Sequence, residues 1–138
     1  MKGVQISVLN AGDEREIDAA FASLVERRAD ALLVSANSFY AGQRDQIVAL
    51  AARHAVPAMY AWREFPSAGG LISYGIDNIA AFRQAGVYAG RILKGEKPAE
   101  MPVQRPTKFV LVINLRTANT LGLTVPQSML ARADEVVE

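Results

Sequence analysis

Short β-rich runs alternate along this chain with stretches in which apolar residues recur at helical spacing. Val4 to Leu9 is the first such run, and it ends at the turn Asn10-Ala11-Gly12. Asp13 follows as an N-cap, with Glu16 completing a capping box. Ile17, Ala20, Phe21, Leu24 and Val25 then fall at i, i+3, i+4, i+7 and i+8, which predicts a helix burying one face. Its charges agree with the helix dipole, acids at the start and Arg27 and Arg28 at the end. Ala31 to Ser35 is an uninterrupted apolar run, the pattern of a central strand buried on both faces. A helix from about Gly42 to His54, with Ile47, Leu50 and Ala51 inward, leads to a strand at Pro57 to Tyr60.

The second half continues the alternation. Leu71 to Tyr74 reads as a strand, and Asp77 or Asn78 caps a helix Ile79 to Lys94 that stops at Gly95. Prolines at 98, 102 and 106 make the next segment an extended connection. Lys108 to Leu115 is the last strong strand, Thr117 to Leu121 a short helix ended by Gly122, and Pro126 starts a final turn through Ala131. Strand-helix alternation of this kind predicts an α/β fold, a three-layer Rossmann-like parallel sheet with helices on both faces. The 138 residues are expected to form a single domain.

Composition narrows the function. A net charge of +1, with both signs interleaved, leaves no electrostatic footprint for nucleic acid or an anionic membrane. Zero cysteines exclude disulfides, thiolate metal sites and cysteine nucleophiles. No long apolar segment follows Met1, so the chain as written carries no signal peptide and is expected to stay in the cytoplasm.

In an open parallel sheet, ligands sit at the carboxyl ends of the strands, where loops and helix starts converge. That rule selects Asn10 and Gly12; Ser35, Asn37, Ser38 and Phe39; Trp62, Arg63, Glu64 and Phe65; and Tyr74, Gly75 and Asp77. The loop after Ser35 offers hydroxyl, amide and free N–H groups suited to a carboxylate. Glu64 or Asp77 suits an ammonium group, and Trp62, Phe65 and Tyr74 suit flat apolar walls, together a site for an amino acid or similar zwitterion. Each has a plainer role beside it: Ser35 to Ser38 as a capping loop, Glu64 as a solvated acid paired with Arg63, and Trp62 and Phe65 as packing.

Catalysis finds little support. His54, the one histidine, falls at a helix C-terminus, away from Ser35 and Glu64, and there is no Gly-x-Ser-x-Gly elbow, Walker loop or Gly-x-Gly-x-x-Gly turn. Asp13, Glu14, Glu16 and Asp18 are spaced along a helix start, where they serve the dipole rather than a metal. The chain is therefore expected to be no enzyme and to need neither cofactor nor metal.

Two segments carry a family resemblance: Pro57 to Gly75, PAMYAWREFPSAGGLISYG, and Thr107 to Pro126, TKFVLVINLRTANTLGLTVP. With them the chain closely resembles ABC-transporter solute-binding proteins of the TrpX-like group, which adopt the type I periplasmic-binding fold. The resemblance spans nearly the whole chain but only the latter half of such a protein. It implies one lobe of a two-lobed receptor, the C-terminal lobe plus the crossover helix at about 77–95, with the N-terminal lobe absent. It also implies capture of a small solute, an aromatic or related amino acid, for an ABC permease in the periplasm, with Tyr74 and Gly75 at the crossover beside the cleft. The helix Ile79 to Lys94 has apolar residues on two stripes, Ile79, Phe82, Gly86, Ala89 and Leu93 on one and Ala81, Ala85, Tyr88 and Ile92 on the other. In the resembling family this segment packs on the first lobe, so here it is expected to pair with a second copy as a homodimer. The competing expectation is a truncated product or protein-interaction module that self-associates without transport.

Overall fold

The computed structural model describes residues 3–138. Its helices and strands are α1 (Glu14–Glu26), β1 (Leu32–Val34), α2 (Ser38–Gly42), α3 (Arg44–Arg53), β2 (Ala58–Tyr60), α4 (Glu64–Ser67), β3 (Ile72–Ile76), α5 (Asn78–Leu93), β4 (Phe109–Asn114), α6 (Leu115–Thr120), α7 (Gln127–Leu130) and β5 (Glu135–Val137). The five strands form one sheet in the order β1-β2-β3-β4-β5. β1, β2 and β3 are mutually parallel, β4 runs antiparallel to β3, and β5 is parallel to β4. The α/β class follows the strand-helix alternation, and the reversal at β4 departs from the all-parallel expectation. After α5 the connection returns the chain to the end of β3, where the Asp77 N–H donates to the Lys108 carbonyl at 3.0 Å, so β4 starts there and runs back against β3.

Local signals place most elements well. Asp13 Oδ1 accepts from the Glu16 N–H at 2.8 Å, and Glu16 reaches back to the Gly12 N–H at 2.6 Å, one residue earlier than a standard capping box. Ile17, Phe21 and Leu24 are buried, whereas Val25 is exposed. The expected helix from about Gly42 to His54 is present as α3, Arg44–Arg53, and α2 is an additional helical turn in the preceding loop, started by Asn37 accepting from the Phe39 N–H at 2.8 Å. Gly95 and Gly122 stop α5 and α6 in the left-handed region, at φ +100° and +68°. α4 and β5 are additional to the sequence expectation, each too short for a periodic signal.

Residues in register share a face of the sheet. Val34, Tyr60, Ser73 and Val112 form one such row and are all buried. With Ile17 and Phe21 of α1, Ile47, Val48 and Ala51 of α3, and Phe65 of α4, this side makes the core. The opposite row runs Leu33, Met59, Ile72, Ile113 and Val136. Leu33 at one end is 72% exposed, although Ile113 is buried.

Two expectations are corrected. Ala31 to Ser35 is not a central strand buried on both faces: β1 pairs only with β2, lies at the sheet edge and exposes Leu33. Val4 to Leu9 forms no strand, and Val4, Ile6 and Val8 are 85%, 83% and 76% exposed. β propensity supplies no ladder partner, and among the described residues this run has none. α5 also stands apart, with no buried residue and with Ile79, Phe82, Val87 and Leu93 exposed. The connection after it folds back through Tyr88, whose hydroxyl donates to the Pro102 carbonyl at 2.6 Å, and through the Arg91–Glu96 ion pair.

Candidate functional site

β1, β2 and β3 are adjacent and parallel, so their carboxyl ends fall along one edge of the sheet. Ser35 to Phe39 follow β1, Ala61 to Glu64 follow β2, and Asp77 follows β3. The topology therefore gathers the loops chosen from sequence, except Asn10 and Gly12, which belong to the segment outside the sheet. Ser35, Ser38 and Glu64 are exposed along this edge. Arg63 does not pair with Glu64: it donates to Glu135 at 2.5 Å, a partner from β5 that sequence spacing could not reveal.

Gly75 fixes how the middle loop sits. A Cβ at position 75 would lie 1.9 Å from the Ala61 carbonyl oxygen, so the β2–α4 connection rests directly on the β3 backbone. Gly70 has a similar role beneath α4, where a Cβ would meet Tyr60 at 2.7 Å and the Phe65 carbonyl at 2.9 Å. Asn114 donates to the Pro66 carbonyl at 3.0 Å and Thr117 to the Gly69 carbonyl at 2.8 Å, which ties the far end of the same loop to β4 and α6. The segment from Ala61 to Gly70 is thus held at its start by backbone contact with Gly75 and towards its end by side-chain hydrogen bonds to its carbonyls.

Several chosen side chains have structural partners. Phe65 is only 2% exposed and stacks on Tyr60 with ring centroids 4.4 Å apart, so it is a core residue and not a ligand wall. Trp62 and Phe39 are half-buried against the same core. The Asn37 amide is engaged as the α2 cap. Asp77 caps α5 by accepting from the Ala80 N–H at 3.0 Å, while its other oxygen meets Lys108 at 3.0 Å. The Ala80 N–H and then the Lys108 ammonium hold the Asp77 carboxyl below its usual range. Both oxygens being engaged, Asp77 is not a free partner for a ligand ammonium. Lys108 has no local sequence signal, because it comes from the far side of the α5 crossover.

Tyr74 is 51% exposed and stacks on Phe109 of β4 at 5.6 Å between centroids. This pair lies on the less covered face of the sheet. His54 caps the C-terminus of α3 and stacks on Phe21, remote from the loop edge. Among the described residues no three His, Cys, Asp or Glu side chains are grouped to hold a metal ion, and no helix is long and apolar enough to cross a membrane.

No curated protein matches this chain. Among solved structures it is similar to a crystal structure of an ABC domain in complex with L-Trp from Streptococcus pneumoniae, at 28% identity and TM-score 0.81, covering 89% of this chain and 41% of that one. A conserved domain protein from Vibrio cholerae is similar at 26% identity and TM-score 0.80, covering 88% of this chain and 41% of that one. The ligand-free, open structure of a substrate binding protein with adhesive properties from Clostridium difficile shares the fold at 23% identity and TM-score 0.63, over 92% of this chain and 42% of that one. The chain thus spans about two fifths of the length of these relatives. The family model for ABC transporter substrate binding proteins matches residues 1–137, and the chain belongs to that family.

Proposed function

We propose that this chain supplies one wall of a binding cleft for a small solute, an aromatic amino acid foremost, within an ABC import system working outside the cytoplasmic membrane. It corresponds to one lobe of a two-lobed receptor, and the ligand lies along the loop edge of β1, β2 and β3. Ser35 and Ser38 bind the carboxylate together with the N–H groups at the start of α2, and Glu64 receives the ammonium. Tyr74, Gly75 and Phe39 border the apolar part. The observation that carries this reading is the convergence of three loops at one sheet edge, with the middle loop pinned on Gly75 and Glu64 free at its end. Support for the ligand class comes from the L-Trp bound in the similar streptococcal domain. The work is capture and release without covalent chemistry, and Glu64 acts as a counter-ion rather than as an acid or base.

An NMR titration with L-tryptophan, L-phenylalanine and L-tyrosine tests this. Amides of Ser35 to Phe39 and Ala61 to Glu64 are expected to shift together and saturably, with Glu64→Gln and Ser38→Ala each weakening the response severalfold. Shifts scattered over the surface, or none at millimolar ligand, would reject the site.

A second reading concerns α5. Ile79, Phe82, Val87 and Leu93 are exposed on a helix that buries none of its own residues, which favours a covering partner, here a second copy of the chain. Phe82→Glu is expected to weaken that association while leaving the melting temperature of the dilute protein unchanged.

A further inference from the structure

Arg63 and Glu64 are neighbours at the start of α4, and both are exposed, yet they do not meet. The Arg63 guanidinium donates instead to Glu135 of β5 at 2.5 Å, and among the described residues the Glu64 carboxylate has no ion pair. A pairing of such neighbours is within reach at a helix start. Arg44 and Asp45, equally adjacent in the first turn of α3, form one at 3.5 Å. What differs at α4 is a second acid, brought in by the sheet. Glu135 is in register with Val112, Val112 with Ser73 and Ser73 with Tyr60, three residues before Arg63. Residues in register share a face, so Glu135 ends the row over which Phe65 stacks on Tyr60. Arg63 thus has two acids available, one beside it in sequence and one delivered by β5, and it takes the second.

We propose that Glu135 is a specificity-determining residue: by holding the Arg63 guanidinium it keeps that cation off Glu64 and leaves the Glu64 carboxylate for the ammonium group of a ligand. The role rests on the ligand reading given above. A guanidinium turned onto Glu64 would occupy its oxygens, bidentately at best, and set a like charge against an incoming ammonium. Both effects act on amines. A ligand with the same ring and carboxylate but no ammonium does not sense the exchange. Glu135 itself touches no ligand and acts only through Arg63. The two side chains are 48% and 40% exposed, so their pairing has the modest strength of surface ion pairs, and the effect on binding is of that order.

NMR titrations with L-tryptophan and with indolepropionate, the same skeleton without the ammonium, test this. Glu135→Ala is expected to weaken L-tryptophan about threefold to fivefold and to leave indolepropionate unchanged. Adding Arg63→Met, which keeps the apolar stem and removes the charge, should restore the parent affinity for L-tryptophan. A merely displaced loop would not recover in this way. The Arg63 guanidinium signals report the same switch without ligand. They should move on Glu135→Ala and move again when Glu64→Gln is added, while Glu64→Gln alone leaves them in place. Equal weakening of both ligands, an unaffected L-tryptophan titration, or a double variant that stays weak would each overturn the role of Glu135. So would Arg63 signals indifferent to Glu64→Gln in the Glu135→Ala background. A parent protein that binds no L-tryptophan at the loop edge would instead overturn the ligand reading, and the role of Glu135 with it.

Discussion

The Ala61 carbonyl oxygen occupies the space where a side chain at Gly75 would begin, 1.9 Å from an ideal Cβ. Gly75 of β3 and Ala61, the residue just after β2, are thereby locked backbone to backbone, and the loop between β2 and α4 takes its position from that contact. Gly75→Ala must push the two backbones apart. The expected cost is about 1–3 kcal/mol in urea unfolding, as for overpacked cores, with displaced amide resonances at Ala61 to Glu64. Unchanged stability and an unmoved loop would show that the contact does not position the site.

Phe65 and Tyr74 separate packing from ligand contact. Phe65→Ala opens the core beside Tyr60 and should cost about 3–5 kcal/mol. Tyr74→Ala removes a half-exposed ring stacked on Phe109, with an expected loss of about 0.5–1.5 kcal/mol. If Tyr74 borders the ligand, the same change should abolish the L-tryptophan titration. Parallel losses of stability and binding would make it a packing residue instead.

Burial pushes the Tyr60 hydroxyl up to about 12, and that hydroxyl has no hydrogen-bond partner among the described residues. The unfolded chain ionises first, near the ordinary tyrosine value of about 10. Stability is therefore whole below pH 10 and declines as pH rises from about 10 towards 12, by about 1.4 kcal/mol per unit at most. Tyr60→Phe should remove this alkaline loss and match or exceed the parent by up to about 1 kcal/mol at neutral pH. Urea midpoints at pH 7 and pH 11 decide it, and a less stable phenylalanine variant would reveal a missed partner for the hydroxyl.

Asp77 gives the opposite sign. Its folded carboxyl is held low by the Ala80 N–H and by Lys108, so its stabilising contribution is present at neutral pH. That contribution is lost as pH falls below about 4 through the lowered folded value. Asp77→Ala should melt a few degrees below the parent at pH 7 and converge with it in acid. Asp77→Asn keeps a cap and should lose less. A gap between parent and alanine variant that is constant from pH 7 to pH 2 would show that the charge contributes nothing.

Much of the loop edge is legible in the chain because helix caps are local. Asp13, Asn37 and Asp77 each accept from an N–H two or three residues ahead, so a short window contains the whole interaction. The reach of Arg63 to Glu135, the pairing of Lys108 with Asp77 and the stacking of Phe109 on Tyr74 are not legible in this way. Each joins segments separated by α5 or by most of the chain, and no periodicity encodes such a meeting. Phe65 illustrates the same limit: an aromatic after a strand serves equally as a wall or as core, and only the position of Tyr60 beneath it makes it core.

By itself the sequence determined the α/β class, the starts and stops of the longer helices, and the segment that would cross between strands, since these follow from residue type and spacing over a few positions. Tertiary structure decided that β4 runs antiparallel, that β1 is an edge of the sheet and that Val4 to Leu9 pairs with no strand among the described residues. The physical reason is that a strand, unlike a helix, completes its hydrogen bonds only with another part of the chain. Which part that is, or whether one is present, depends on how the whole chain packs.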